Sequence, residues 1–187
     1  MEIILLGFAW VVYFFIHSFL ASNAAKSFIE RKSPFFFTYY RLLYNLIALG
    51  GLIPLVKQSI LTPDAYLFAG SLLTGISVTG IGLILLILAF QAFDGAAFLG
   101  IKEESNSELV QTGMYQYVRH PLYFATIVFI LGLFLLVPTE KMLLVLLISY
   151  GYILIGYRLE ERKLVEVFGE KYLDYQKRVK AIIPLLY

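Results

Sequence analysis

The sequence predicts an all-α, polytopic membrane protein: about five transmembrane helices, a cytoplasmic loop and a C-terminal amphipathic helix. Three observations lead there: composition, the lengths of the apolar runs, and the side on which the basic residues fall. Of 187 residues, 60% are hydrophobic and only 15% charged, whereas soluble domains run at roughly 45–50% apolar and about 25% charged. Mean hydropathy is +0.80. With so little polar surface, the medium around the chain is lipid.

A helix needs about 20 mostly apolar residues to cross the hydrocarbon core. The first such run is Ile3 to Leu20. It reads as a span rather than a cleaved leader, because Glu2 stands where a basic region would and no small-residue cleavage site follows a short apolar core. The second run is Tyr39 to Val56, with Arg41 near its start and Pro54 near its end. The third is Tyr66 to Phe90, whose Gly70, Gly75, Gly80 and Gly82 would admit a closely packed neighbour. Pro121 to Val137 and Met142 to Tyr157 are the fourth and fifth, and the turn Pro138-Thr139-Glu140-Lys141 makes them an antiparallel hairpin. With no internal repeat or long linker, the chain reads as one membrane domain. Residues 1–92 hold three spans, and residues 93–187 hold a loop, the hairpin and a tail.

Orientation follows from the Lys/Arg bias of the loops. The loops after the first and third spans share one side with the tail, and there lie Lys26, Arg31, Lys32, Arg41, Lys102, Arg119, Arg158, Arg162, Lys163, Lys171, Lys177, Arg178 and Lys180. Only Lys57 and Lys141 fall opposite. The N-terminus is therefore expected outside and the C-terminus in the cytoplasm, in what reads as a prokaryotic cytoplasmic membrane.

Composition also excludes several function classes. Absence of cysteine removes disulfides, thiolate metal sites and a cysteine nucleophile, and two histidines are too few for a histidine metal cluster. The net charge of +2 forms no nucleic-acid stripe.

Polar chemistry gathers on the cytoplasmic side. The loop from Gln91 to His120 is long for a compact protein, which points to function, and Phe98, Leu99, Ile101, Leu109, Val110 and Met114 punctuate it. In the tail, Leu164, Phe168, Tyr172, Tyr175 and Val179 recur at helical spacing, predicting an amphipathic helix at the interface. Glu160 heads that apolar stripe, where a carboxylate needs a cationic partner. Arg158 or Arg119 would serve structurally, and a cationic ligand would serve functionally.

Gly113-Met114-Tyr115-Gln116-Tyr117-Val118-Arg119-His120-Pro121-Leu122-Tyr123 resembles the G-x-Y-x-x-x-R-H-P-x-Y signature of isoprenylcysteine carboxyl methyltransferases and their prokaryotic relatives. Glu160-Glu161-Arg162-Lys163-Leu164, Phe168-Gly169-Glu170-Lys171-Tyr172, then Tyr175, Val179 and Pro184 are similar to that family's tail. The likeness covers Glu108 to Pro184, with the two motifs bracketing the predicted hairpin.

That resemblance implies an S-adenosylmethionine-dependent methyltransferase embedded in the bilayer, acting on a lipophilic or small membrane-permeant acceptor and using no metal. It implies cofactor contacts from Ser107, Glu108, Leu109, Val110, Tyr115, His120, Pro121, Leu122, Tyr123 and Glu160. Carboxylates suit the cofactor's ammonium, and aromatic rings suit its adenine or sulfonium. Arg119, Arg158 and Glu161 are the candidate catalytic residues. Where eukaryotic members place a substrate-associated arginine, four residues before the first tail glutamate, this chain has Gly156. A cofactor pocket roofed by the loop and tail is expected. An NADPH-dependent membrane reductase related to sterol reductases, or a non-enzymatic membrane accessory protein, are the alternatives.

Overall fold

The computed structural model describes residues 1–62, 65–91 and 108–184. The chain divides into two compact units at Ala65 and Tyr66. Among the described residues, the only extended pairings are two isolated bridges, and helices make up the rest of the regular structure.

The first unit holds α1 (Glu2–Ala21), α2 (Asn23–Lys32) and α3 (Pro34–Leu61). Ser22 ends α1 in extended backbone, and its side chain caps α2 by accepting from the Ala25 amide at 3.2 Å. Pro34 opens α3, where a missing N–H costs nothing. Two polar side chains here find internal partners, as lipid favours: Trp10 Nε1 donates to Ser59 Oγ at 3.1 Å, and the Tyr40 hydroxyl donates to the Leu20 carbonyl at 2.7 Å, whereas His17 Nδ1 is buried without a hydrogen-bond partner among the described residues. The helix α2 has no counterpart in the sequence reading, because its ten residues are too polar to register as an apolar run.

In the second unit stand α4 (Leu72–Phe90), a 3-10 turn (Gly113–Gln116), α5 (Pro121–Leu136), α6 (Glu140–Phe168) and α7 (Glu170–Arg178). The third span starts at Leu72 rather than Tyr66. Tyr66 instead bridges to Thr139, and the Leu67 amide donates to the Pro138 carbonyl at 2.8 Å, so this stretch lies against the hairpin turn. α4 and α5 pack antiparallel through small residues. A Cβ added to Gly75 would come within 3.0 Å of Leu136, one on Gly82 within 3.0 Å of Phe129, and one on Gly132 within 3.0 Å of Thr79, backbone atoms in each case. Gly80, by contrast, faces open space.

Four helices are long and apolar enough to cross a membrane, and the 16-residue α5 is a shorter apolar helix beside them. The protein is a polytopic, all-α integral membrane protein. α6 departs from the predicted fifth span: it runs 29 residues without interruption, about 44 Å at 1.5 Å per residue, against a hydrocarbon core of about 30 Å. Its last turns therefore carry Glu160 and Glu161 to the end of the hairpin opposite the Pro138 turn. The helix stops where Gly169 adopts φ +55°, a conformation unfavourable for other residues. The predicted tail stripe is thus split. Leu164 and Phe168 end α6, while Tyr172 and Tyr175 are buried on α7.

Candidate functional site

Pro121 starts α5, which leaves Arg119 and His120 as the last residues before the helix. The tail returns alongside them. The Arg119 amide donates to the Lys180 carbonyl at 2.8 Å and the His120 amide to the Ala181 carbonyl at 2.9 Å, with a parallel bridge between Val118 and Lys180. Ala181 and Ile182 are buried against Ile153 and Tyr157 of α6, with Tyr123, Phe124 and Ile127 of α5 packed on them. Loop, hairpin and tail therefore meet at one end of this unit.

Two adjacent carboxylates there have opposite surroundings. Glu161 is almost wholly enclosed and accepts five contacts: Arg119 Nε at 2.9 Å and Nη2 at 2.8 Å, His120 Nε2 at 2.7 Å, Tyr172 Oη at 2.6 Å and Gln176 Nε2 at 2.6 Å. A carboxylate offers about four lone-pair sites, so Glu161 is saturated. Glu160 keeps 45% of its side chain exposed. Its Oε2 accepts from the Tyr123 hydroxyl at 2.7 Å and lies 3.6 Å from His120 Nδ1. Arg119 thus pairs with Glu161 rather than with the Glu160 that the sequence reading offered it, and it also donates to the carbonyls of Gln176 and Val179.

Aromatic rings enclose this polar cluster. His120, 5% exposed, stacks on Tyr123 with centroids 5.5 Å apart and meets Tyr157 edge-on at 5.8 Å. The Tyr175 hydroxyl donates to the Tyr115 carbonyl, anchoring the 3-10 turn to α7. Burial works against the Arg119 charge, but the hydrogen bonds and charge of Glu161 outweigh it and raise its pKa. Burial pushes the Tyr175 hydroxyl up to about 12. Tyr115 and Tyr172 are also raised, first by burial and then by the nearby glutamates, Glu160 for Tyr115 and Glu161 for Tyr172.

Of the sequence candidates, Arg119, His120, Tyr123, Glu160 and Glu161 form one connected cluster, and Tyr115 joins it through Tyr175 and α7. Pro121 is fully buried as the start of α5, and Leu122 is half-buried beside it. Glu108 is exposed, with Leu109 and Val110 half-buried on the approach to the 3-10 turn. Ser107, Phe98, Leu99 and Ile101 lie outside the described residues. Arg158 is exposed and turned to Tyr157, its Nε 3.4 Å from the hydroxyl and its guanidinium carbon 5.9 Å from the ring centroid. Gln176 is absent from both the tail stripe and the tail motif, and Tyr172 entered only as a member of them. The signal was their spacing: four residues apart on a helix, they share one face.

The chain matches the family model described as Phospholipid methyltransferase over residues 65–171. It is 47% identical over 75 residues to the methanethiol S-methyltransferase of Pseudomonas deceptionensis, covering 39% of this chain and 27% of that protein. It is 31% identical over 139 residues to the protein-S-isoprenylcysteine O-methyltransferase of Saccharomyces cerevisiae, covering 69% of this chain and 58% of the relative. The corresponding protein of Xenopus laevis is 28% identical over 165 residues, 81% of this chain and 54% of the relative. The chain thus spans between about a quarter and somewhat over half the length of these relatives. No solved structure gives a significant match.

Proposed function

Because the chain belongs to the phospholipid methyltransferase family, we propose that it transfers a methyl group from S-adenosylmethionine to a lipophilic or small membrane-permeant acceptor bearing a carboxylate, thiol or amine. The observation that supports this most directly is the contrast between the two glutamates. Glu161 is used up inside the protein, whereas Glu160 presents a half-exposed carboxylate beside a tyrosine hydroxyl and a histidine ring. Such a donor set fits the ammonium of an amino-acid-like cofactor.

Glu160 would hold that ammonium, and Tyr115, His120, Tyr123 and the segment from Glu108 to Val110 would line the pocket around it, with Pro121 and Leu122 fixing its edge. When bound, the cofactor supplies an electrophilic methyl group on a sulfonium. The protein's part is positional and electrostatic. Aromatic walls disfavour bulk water, and the Glu160 carboxylate favours a cationic guest. Arg119 and Glu161, assigned to each other, support this frame rather than react. The exposed guanidinium of Arg158 remains the candidate to meet an anionic acceptor.

The Lys/Arg bias of the loops supports a site on the cytoplasmic face, with the N-terminus outside. A charged cofactor would reach it from water and an acyl or prenyl acceptor from the bilayer. Incubating the purified full chain with membrane lipid extract and methyl-labelled S-adenosylmethionine tests the reading. Label is expected in one extract component and is expected to be much reduced with Glu160→Gln. No incorporation into any lipid or small thiol, carboxylate or amine would refute it.

A further inference from the structure

His120 has its two ring nitrogens in different surroundings. Nε2 lies 2.7 Å from Glu161 Oε1, and Nδ1 lies 3.6 Å from Glu160 Oε2. An ionised carboxylate only accepts hydrogen bonds. Glu161 accepts from a guanidinium, a tyrosine and an amide at once, so it is ionised and Nε2 carries the proton. We propose that Glu161 is a positioning residue: anchored by Arg119, Tyr172 and Gln176, it accepts a hydrogen bond from the Nε2–H of His120 and fixes the ring with Nδ1 as an acceptor, so that Nδ1 and the Glu160 carboxylate together receive a cationic N–H donor of the cofactor. This rests on the function proposed above for the identity of the donor.

Two features support the pairing. First, the charge of Glu161 is already matched by Arg119 through both oxygens, so the carboxylate orients the ring without needing a second cation. A ligand-bearing histidine is commonly oriented in this way by the hydrogen bond at its other nitrogen. Second, Nδ1 and Glu160 Oε2 stand too far apart to hydrogen-bond each other yet close enough to share one donor group. Among the described residues, Tyr123 alone hydrogen-bonds Glu160, which leaves acceptor capacity on the carboxylate. With the His120 side chain 4% exposed, the ring has little freedom to rotate away.

The chain has two histidines, so His17→Gln leaves a single ring to observe. In that full-length background in detergent micelles, nitrogen NMR of isotope-labelled histidine should show Nε2 protonated and Nδ1 unprotonated near neutral pH. Adding S-adenosylhomocysteine should move the Nδ1 resonance and leave Nε2 nearly unchanged. The double variant Tyr172→Phe/Gln176→Leu removes two of the donors that hold Glu161, and should mix the tautomers and weaken S-adenosylhomocysteine affinity at least fivefold. A ring protonated at Nδ1 in the ligand-free protein overturns the proposal. So does an Nδ1 resonance unmoved while calorimetry shows binding, or a double variant with unchanged tautomer and affinity. If calorimetry shows no binding at all, the cofactor reading fails, and the assigned cationic donor with it. The ligand-free spectrum would still report on the Glu161–His120 contact.

Discussion

Arg119 grips Glu161 through both carboxylate oxygens, at 2.9 and 2.8 Å, tying the residue two before α5 to the last third of α6. The side chains are 10% and 12% exposed. Removing one partner of such a pair strands a charge, at a cost of about 3–5 kcal/mol. Arg119→Ala or Glu161→Ala is therefore expected to lower the thermal unfolding midpoint in detergent markedly. Unchanged midpoints would show that the pair is dispensable.

Glu160→Gln should behave differently. The side chain is half-exposed and contributes one hydrogen bond to the fold, so folding and insertion should persist. Losing a charge-assisted contact worth about 1.5–3 kcal/mol lowers affinity roughly tenfold or more. Calorimetry with S-adenosylmethionine measures this. Equal affinity in both proteins would assign Glu160 to structure alone.

Much of this was legible in the sequence, and the gaps have physical causes. Apolar runs marked every spanning helix, because lipid leaves the chain few other options. The motifs brought Arg119, His120, Tyr123, Glu160 and Glu161 to attention together. What could not be read was which of two neighbouring glutamates Arg119 takes. That choice depends on where α7 folds back to place Tyr172 and Gln176, and thus on the turn at Gly169, whose backbone angle no periodicity reveals. The short polar α2 and the late start of α4 escaped for a related reason: tertiary contacts and a Ser22 cap determine them, not hydropathy.

Close packing of α4 on α5 makes its glycines sensitive. At Gly82 and Gly132 an added methyl would sit within 3.0 Å of partner backbone, and overpacking costs about 1–3 kcal/mol. Gly82→Ala and Gly132→Ala should each reduce the unfolding midpoint, while Gly80→Ala, which meets nothing within 4 Å, should not. Equal effects at all three would contradict the packing.

Alkaline pH tests the α7 anchor. Tyr175 must stay protonated to donate to the Tyr115 carbonyl, and burial pushes its pKa from 10.0 up to about 12. A raised folded-state value means the neutral form is favoured in the fold. The contribution is present below pH 10 and is lost as pH rises from there through about 12. Stability should fall across that window, and Tyr175→Phe should flatten part of the decline. A midpoint equally pH-dependent in both proteins would place the alkaline sensitivity elsewhere.

Truncation after Phe168 separates a fixed clasp from a loose cover. α7 supplies Tyr172 and Gln176 to Glu161, and the segment beyond it supplies carbonyls to the Arg119 and His120 amides. Deleting both should abolish cofactor binding and also lower stability, since buried Tyr172 and Ile182 leave with them. A truncated protein as stable as the full chain would mean that the tail merely covers the site.

Ligand-induced stabilisation discriminates among the function classes open to the sequence. A ligand that binds only the folded state stabilises it by mass action, about 2.7 kcal/mol at a hundred times its dissociation constant. Under the methyltransferase reading, S-adenosylmethionine and S-adenosylhomocysteine should both raise the unfolding midpoint of the full chain, and Glu160→Gln should remove about half of the gain or more. NADPH would do so for a reductase, and neither ligand for an accessory protein. The comparison is sharpest because these ligands carry different charges: the half-exposed Glu160 favours an ammonium and repels the phosphates of NADPH, so stabilisation by NADPH alone would overturn both the site assignment and the proposed reaction.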